Sequence, residues 1–172
     1  DELLFLSRAD MGEVKMEHLP VPLDTLIEDV HRQASLLGQE RDIQVVLRAT
    51  ASAVVLGDEL RLRELFLNLV DNAVKYSRPG GTIDIALTIE QEHARVSVTD
   101  RGIGIAQEDQ PQIFDRFYRT DDARAHTKKG TGLGLSICAW IAESHRGRIT
   151  VQSKIGHGST FTVMLPLASL SA

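Results

Sequence analysis

Residues 130–137 read Gly130-Thr131-Gly132-Leu133-Gly134-Leu135-Ser136-Ile137. Three glycines at alternate positions run directly into an apolar, helical pattern. Glycine lets the backbone take positive φ and brings its N–H groups close to a ligand. The helix that follows adds unpaired N–H groups and the positive end of its dipole. Together they make an anion site, and a nucleotide phosphate is a common occupant of such a site. The same octapeptide is also compatible with a flexible loop that binds nothing. It is not a Rossmann fingerprint, which needs G-x-G-x-x-G straight after a strand; the spacing here is G-x-G-x-G, and residues 121–129 before it are polar and charged. A P-loop, G-x-x-x-x-G-K-[ST], does not occur in the chain.

The chain has 172 residues, 42% hydrophobic and 25% charged, the composition of one ordinary globular domain with room for an appendage. At this size folding buries roughly 70% of the unfolded surface, enough for a real core. A formal charge of -5 offers no general basic field, so nucleic acid is not expected as a partner. The single cysteine, Cys138, excludes an internal disulfide and a Cys-rich metal site. Its neighbours Ile137, Ala139 and Ala142 mark it as a core residue. No apolar run approaches the length of a membrane span. A start without Met, inside an apolar pattern, reads as an excised fragment.

Outward from the glycines, the pattern alternates between helix and strand. Residues 1–12 read as the tail of a helix stopped at Gly12, and residues 13–22 as a linker carrying Pro20 and Pro22. Leu23, Leu26, Ile27, Val30, Ala34 and Leu37 have helical spacing. Ile43, Val45 and Leu47 alternate as a strand, and Val54 to Leu56 form another. Asp58 is a candidate N-cap for a long helix buried through Leu62, Leu65, Phe66, Leu69, Val70 and Ala73. Strands follow at 83–89 and 96–100, then a short helix near 110–117, and a polar stretch at 120–129 with no hydrophobic period. The helix after the glycines ends near His145-Arg146 with Gly147 as its cap, and a hairpin turns at 156–159. Hairpins rather than βαβ repeats give an α+β fold: a two-layer α/β sandwich with a mixed, mostly antiparallel sheet and helices on one face.

Several polar constellations accompany the glycines. Asn68, Asn72 and Lys75 are i, i+4 and i+7, hence on one helix face, suited to a cation held by neutral oxygens beside a phosphate, or simply to a solvated edge. Asp100-Arg101-Gly102-Ile103-Gly104 ends a strand with a carboxylate able to accept from a base amino group, or forms an Asx turn. Ile113 to Arg119 packs three aromatics, with Phe114 and Phe117 read as core and Arg119 as a phosphate partner. Gly156-His157-Gly158-Ser159-Thr160 closes the set.

Taken in order, NLVDNAVK, DRGIGI, IFDRFYR, GTGLGLSI and GHGSTF resemble the N, G1, F, G2 and G3 boxes of the catalytic and ATP-binding domain of sensor histidine kinases. The likeness covers about residues 18–166, with all five boxes at ordinary spacing. It implies the Bergerat ATP-binding fold, with ATP between the helices and a mobile lid at about residues 120–129. It implies ATP and Mg²⁺ as cofactors: Asn72 on the metal with Asn68 close by, Lys75 at phosphate, Tyr76 lining the nucleotide, and Asp100 receiving the adenine amino group. Gly102 and Gly104 would make room for the base. Gly130, Gly132 and Gly134, with Leu133 and Leu135, would hinge the lid and cradle phosphate. Thr160 would lie behind the adenine, and Arg119 would meet the γ-phosphate.

In the related gyrase, chaperone and mismatch-repair ATPases a Glu stands four residues before the metal-binding Asn and activates water. Here that position is Asn68, and an amide is a poor base. The resemblance thus favours phosphoryl transfer over hydrolysis. A hydrolysing ATPase, a degenerate nucleotide-sensing module and a serine kinase acting on an anti-sigma partner are the alternatives. None of the six histidines has the family's phosphoacceptor context. The expected division is therefore a remnant of the preceding dimerisation and phosphoacceptor helix with its linker at 1–17, an ATP-binding domain at 18–168 and a tail at 169–172. The implied partners are the protein's own dimerisation domain, not in this chain, and a response regulator. The fragment is expected to be monomeric, the parent a homodimer, and the domain the cytoplasmic part of a membrane-anchored protein.

Overall fold

The computed structural model describes residues 1–169. Of the expected tail at 169–172, all but the first residue lies outside them. The chain runs α1 (Glu2–Asp10), β1 (Leu19–Pro22), α2 (Leu23–Gln39), β2 (Gln44–Thr50), β3 (Val54–Gly57), α3 (Glu59–Tyr76), β4 (Thr82–Glu90), β5 (His93–Asp100), α4 (Asp121–His126), α5 (Gly134–Ser144), β6 (Arg148–Lys154) and β7 (Gly158–Pro166). Five strands form one sheet in the order β2-β4-β5-β7-β6, parallel only between β2 and β4. The sheet is therefore mixed and mostly antiparallel, as the hairpin signals indicated.

One sheet face is apolar by strict alternation. Ile83, Ile85 and Leu87, then Ala94, Val96 and Val98, then Phe161, Val163 and Leu165 all point to the helices and are buried. Leu62, Leu65, Phe66 and Leu69 of α3, and Ile137 and Ile141 of α5, close the core from the other side. Helix α3 packs between α2 and α5. Asp58 caps α3 as expected, its carboxylate accepting from the Arg61 N–H at 3.1 Å.

Four local expectations are corrected. Residues 19–22 are not linker but β1, paired antiparallel with β3 (Pro20 opposite Leu56). A two-stranded ribbon is all edge, where a missing proline N–H costs little. Leu37 is 38% exposed and stands outside the buried stripe of α2. The short helix near 110–117 is only a 3-10 turn at Gln110–Gln112, and Phe117 is exposed with φ of +64° while Phe114 packs edge-on to Phe161. The polar stretch at 120–129 contains α4, which buries nothing. Its order comes from its ends: the Thr120 hydroxyl accepts from the Ala123 N–H, Asp121 and Asp122 sit in the first turn, and Arg124 and His126 in the last.

The end of α5 also differs. Arg146, not Gly147, takes the left-handed conformation at φ +58°. The Gly147 N–H donates to the Ala142 carbonyl and the Arg146 N–H to that of Glu143, a Schellman closure. Gly147 is needed for proximity, since a Cβ there would lie 2.2 Å from the Met164 carbonyl oxygen.

His145, at that same end, ties α5 to the start of α3. Its Nε2 accepts from the Asp58 N–H at 3.0 Å, so Nδ1 carries the proton and donates to the Ile141 carbonyl at 2.7 Å. Gly57 makes room for the ring, because a Cβ there would stand 2.4 Å from Cδ2. Burial pushes the imidazole below its ordinary value, against the opposing pull of the Ile141 carbonyl and the Asp58 carboxylate. Below about pH 6.5 the unfolded chain then binds a proton that the folded chain resists, so stability falls as acid is added. Denaturant midpoints are expected to drop between pH 8 and pH 5.5, and the drop is expected to shrink in His145→Gln. An equal drop in that variant would remove His145 as its source.

Candidate functional site

The C-terminal half of α3, the loop after β5, α4 and the glycine loop border one cleft, open to solvent. Helix periodicity puts Asn68, Asn72, Lys75 and Tyr76 along one wall, together with Asp71, which the Lys75 ammonium meets at 3.2 Å. Glu64, a turn earlier, is held by Arg61 at 2.8 Å and does not line the cleft.

Asp100 forms the inner end. Its side chain is 5% exposed, and Oδ1 accepts from the Gly102 N–H at 2.9 Å. Burial raises its pKa, while the backbone N–H groups of Gly102 and Ser159 work against the rise. A buried, partly satisfied carboxylate at a cleft floor is a specific acceptor for an N–H donor. Ile103, Ile105, Ile113 and Phe161 surround it with apolar surface suited to a flat ring. Gly102 does not line the cleft; it supports Asp100, and its Cβ would lie 2.0 Å from the Tyr76 carbonyl oxygen. Gly104 does line it, at φ +70° and in equally close approach to Lys154.

In the glycine loop, which also lines the cleft, Gly130 and Gly132 adopt φ of +134° and +74°. Gly134 opens α5 without a positive φ and with nothing within 4 Å of a notional Cβ. The helix begins without a side-chain cap bond, so its first donors remain free for a ligand. Leu135 lines the cleft, whereas Leu133 is 3% exposed in the core. Arg119 borders the cleft and donates through Nη2 to the carbonyls of Thr127 at 2.7 Å, Lys129 at 3.3 Å and Ala123 at 3.4 Å. It binds the segment around α4 to itself. That segment reaches α3 where His126 Nε2 donates to the Lys75 carbonyl at 2.9 Å, beside the Tyr76 ring.

Thr160 is not in the cleft. It lies on the far face of β7, its hydroxyl 3.0 Å from that of Thr99. Strand alternation puts Ser159 and Phe161 toward Asp100 instead, so the hydroxyl on that side is one residue earlier than expected. Sequence reasoning also missed Glu2, whose carboxylate accepts from the Thr131 hydroxyl at 2.6 Å. No local signal in residues 1–12 points to that contact.

Among the described residues no cluster of three His, Cys, Asp or Glu could cage a metal. Beside Lys75 the cleft offers the amide oxygens of Asn68 and Asn72, and the Asp71 carboxylate is paired with the ammonium. That set fits a cation which keeps its waters and takes few protein ligands, as Mg²⁺ does in the presence of phosphates.

Residues 57–169 match the family model described as histidine kinase-, DNA gyrase B-, and HSP90-like ATPase. SenX3 of Mycobacterium tuberculosis, a sensor-like histidine kinase, is 41% identical over 165 residues, which is 96% of this chain and 40% of that protein. Full-length ShkA, solved in complex with AMPPNP, superposes with a TM-score of 0.86 at 28% identity over 99% of this chain and 35% of its own. The catalytic domain of histidine kinase ThkA superposes with a TM-score of 0.76 at 30% identity, over 87% of this chain and 95% of that one.

Proposed function

Because the chain belongs to the histidine kinase-, DNA gyrase B-, and HSP90-like ATPase family, we propose that its cleft binds Mg-ATP and delivers the γ-phosphoryl group to a histidine of a dimerisation domain. From there a response-regulator aspartate receives it. The chain spans 40% of the length of SenX3, and in this reading the acceptor histidine is supplied by another part of the parent protein. The convergence of a buried carboxylate, an amide-lined helix and an uncapped glycine-loop helix in one cleft carries this reading.

Adenine sits on the Asp100 side, its amino group donating to the carboxylate, with Ser159 behind it and Tyr76 beside it. The phosphates lie toward the glycine loop, where the first N–H groups of α5 and the Lys75 ammonium meet their charge. The Asn72 amide oxygen would hold Mg²⁺, with Asn68 adjacent, and the ion would supply neutralisation of phosphate charge. Arg119 exchanges lid carbonyls for the terminal phosphate, coupling lid position to the nucleotide. In transfer the bond from the γ-phosphorus to the bridging oxygen breaks, a phosphorus–nitrogen bond forms on the acceptor imidazole, and ADP departs. The chain's part is positioning and charge stabilisation. Among the described residues no helix is long and apolar enough to cross a membrane. A membrane anchor, like the homodimer, belongs to the proposed parent.

Asn68 separates transfer from hydrolysis. An amide there supplies no base to activate water, so phosphate release from ATP by the chain alone is expected to stay far below an ordinary turnover of about 10 s⁻¹. Asn68→Glu is expected to raise release at least tenfold. Steady hydrolysis by the wild type that disappears in Asn68→Ala would instead favour the hydrolysing ATPase.

A further inference from the structure

The nucleotide reading of the cleft is the basis for a second conclusion, about its selectivity. We propose that Glu2 of α1 is a specificity-determining residue, selecting against charge on the phosphate chain of the nucleotide for as long as α1 is docked. Glu2 lines the cleft alongside Asn72, Lys75 and Arg119, although it stands 129 residues from the loop it touches. Its Oε2 accepts from the Thr131 hydroxyl, and Thr131 stands between Gly130 and Gly132, in the loop that phosphate would meet.

The position of Glu2 is set by tertiary contacts. A helix of nine residues cannot hold itself in isolation. Leu6 is 1% exposed. Phe5 packs edge-on to Trp140 at 5.2 Å, with the Arg61 guanidinium 4.4 Å from the Phe5 centroid. Asp10 accepts two hydrogen bonds from Arg116, at 2.7 and 2.8 Å. These contacts hold a carboxylate at the glycine loop, where it repels further negative charge and occupies the Thr131 hydroxyl. By linkage, whatever docks α1 opposes a triphosphate, and a bound triphosphate opposes docking to the same degree. Since Glu2 is an exposed side chain, the repulsion is screened by salt.

The test is calorimetric titration of the chain and of Glu2→Gln with adenosine, ADP and a non-hydrolysable ATP analogue, at low and physiological ionic strength. Glutamine keeps an acceptor for Thr131 and removes the charge. Affinity for the ATP analogue is expected to rise about three- to tenfold in the variant, that for ADP less, and that for adenosine not at all, with the gain smaller at higher salt. Trp140 is the only tryptophan and packs on Phe5, so its emission reports α1 docking. The analogue is expected to shift that emission in the wild type and adenosine to leave it in place. An equal change for all three ligands, or none for the analogue, overturns the role of Glu2 while saturable binding leaves the nucleotide reading intact. Failure of all three to bind overturns both.

Discussion

Asp100→Asn is expected to weaken binding of a non-hydrolysable ATP analogue ten- to hundredfold, or about 1.5–3 kcal/mol, with the fold unchanged. A carboxylate offers two acceptor oxygens, and one of them already takes the Gly102 N–H at 2.9 Å. Asparagine has a single acceptor oxygen. If that oxygen keeps Gly102, the amide nitrogen faces the adenine amino group, donor against donor. If it turns to the base, the Gly102 N–H is stranded in a buried site. Either outcome costs a hydrogen bond. Calorimetry reads the affinity and circular dichroism the fold. Affinity within twofold of the wild type would remove Asp100 from base recognition. A purine lacking the exocyclic amino group should be nearly indifferent to the substitution, which separates loss of that hydrogen bond from general damage to the cleft.

The second large effect belongs to Gly102. A methyl group there would lie 2.0 Å from the Tyr76 carbonyl oxygen and 2.7 Å from its carbon, both backbone atoms that cannot swing aside. Gly102→Ala must therefore push the loop after β5 away from the end of α3. The expected cost is about 3 kcal/mol, which lowers Tm by roughly 6–12 °C in a domain of this size. Because the same loop holds Asp100 in place, nucleotide affinity should fall with it. Gly134→Ala is the control: nothing lies within 4 Å of its Cβ, so melting should scarcely move. Similar melting temperatures for the two variants would show that the loop is not clamped against α3.

What could be read from the sequence followed from periodicity and from residues that act locally. The alternation of β4, β5 and β7 and the stripe of α3 announced their buried faces. Asp58 announced a cap, and the glycine loop announced the helix behind it. The cleft wall was legible because Asn68, Asn72 and Lys75 are related by helical spacing alone. Strand phase was harder: the GHGSTF segment does not reveal which hydroxyl faces inward, and only the pairing of Asp100 with Ser159 fixes it. The prolines of β1 hid an edge strand because their backbone partner, β3, lies more than thirty residues away in sequence. Helix α4 was hidden because it rests on capping and end charges, with no buried stripe to report it. The docking of α1 was least legible of all. Phe5 on Trp140, Asp10 on Arg116 and Glu2 on Thr131 are long-range contacts, and residues 1–12 show only an apolar helix in need of a surface.

The most direct measurement is calorimetric titration of the unmodified chain with a non-hydrolysable ATP analogue, with and without Mg²⁺. One saturable site, tighter with Mg²⁺ and competed by ADP, is the predicted result. No binding by a chain whose circular dichroism and melting show it folded would contradict the account and leave a degenerate module as the better description.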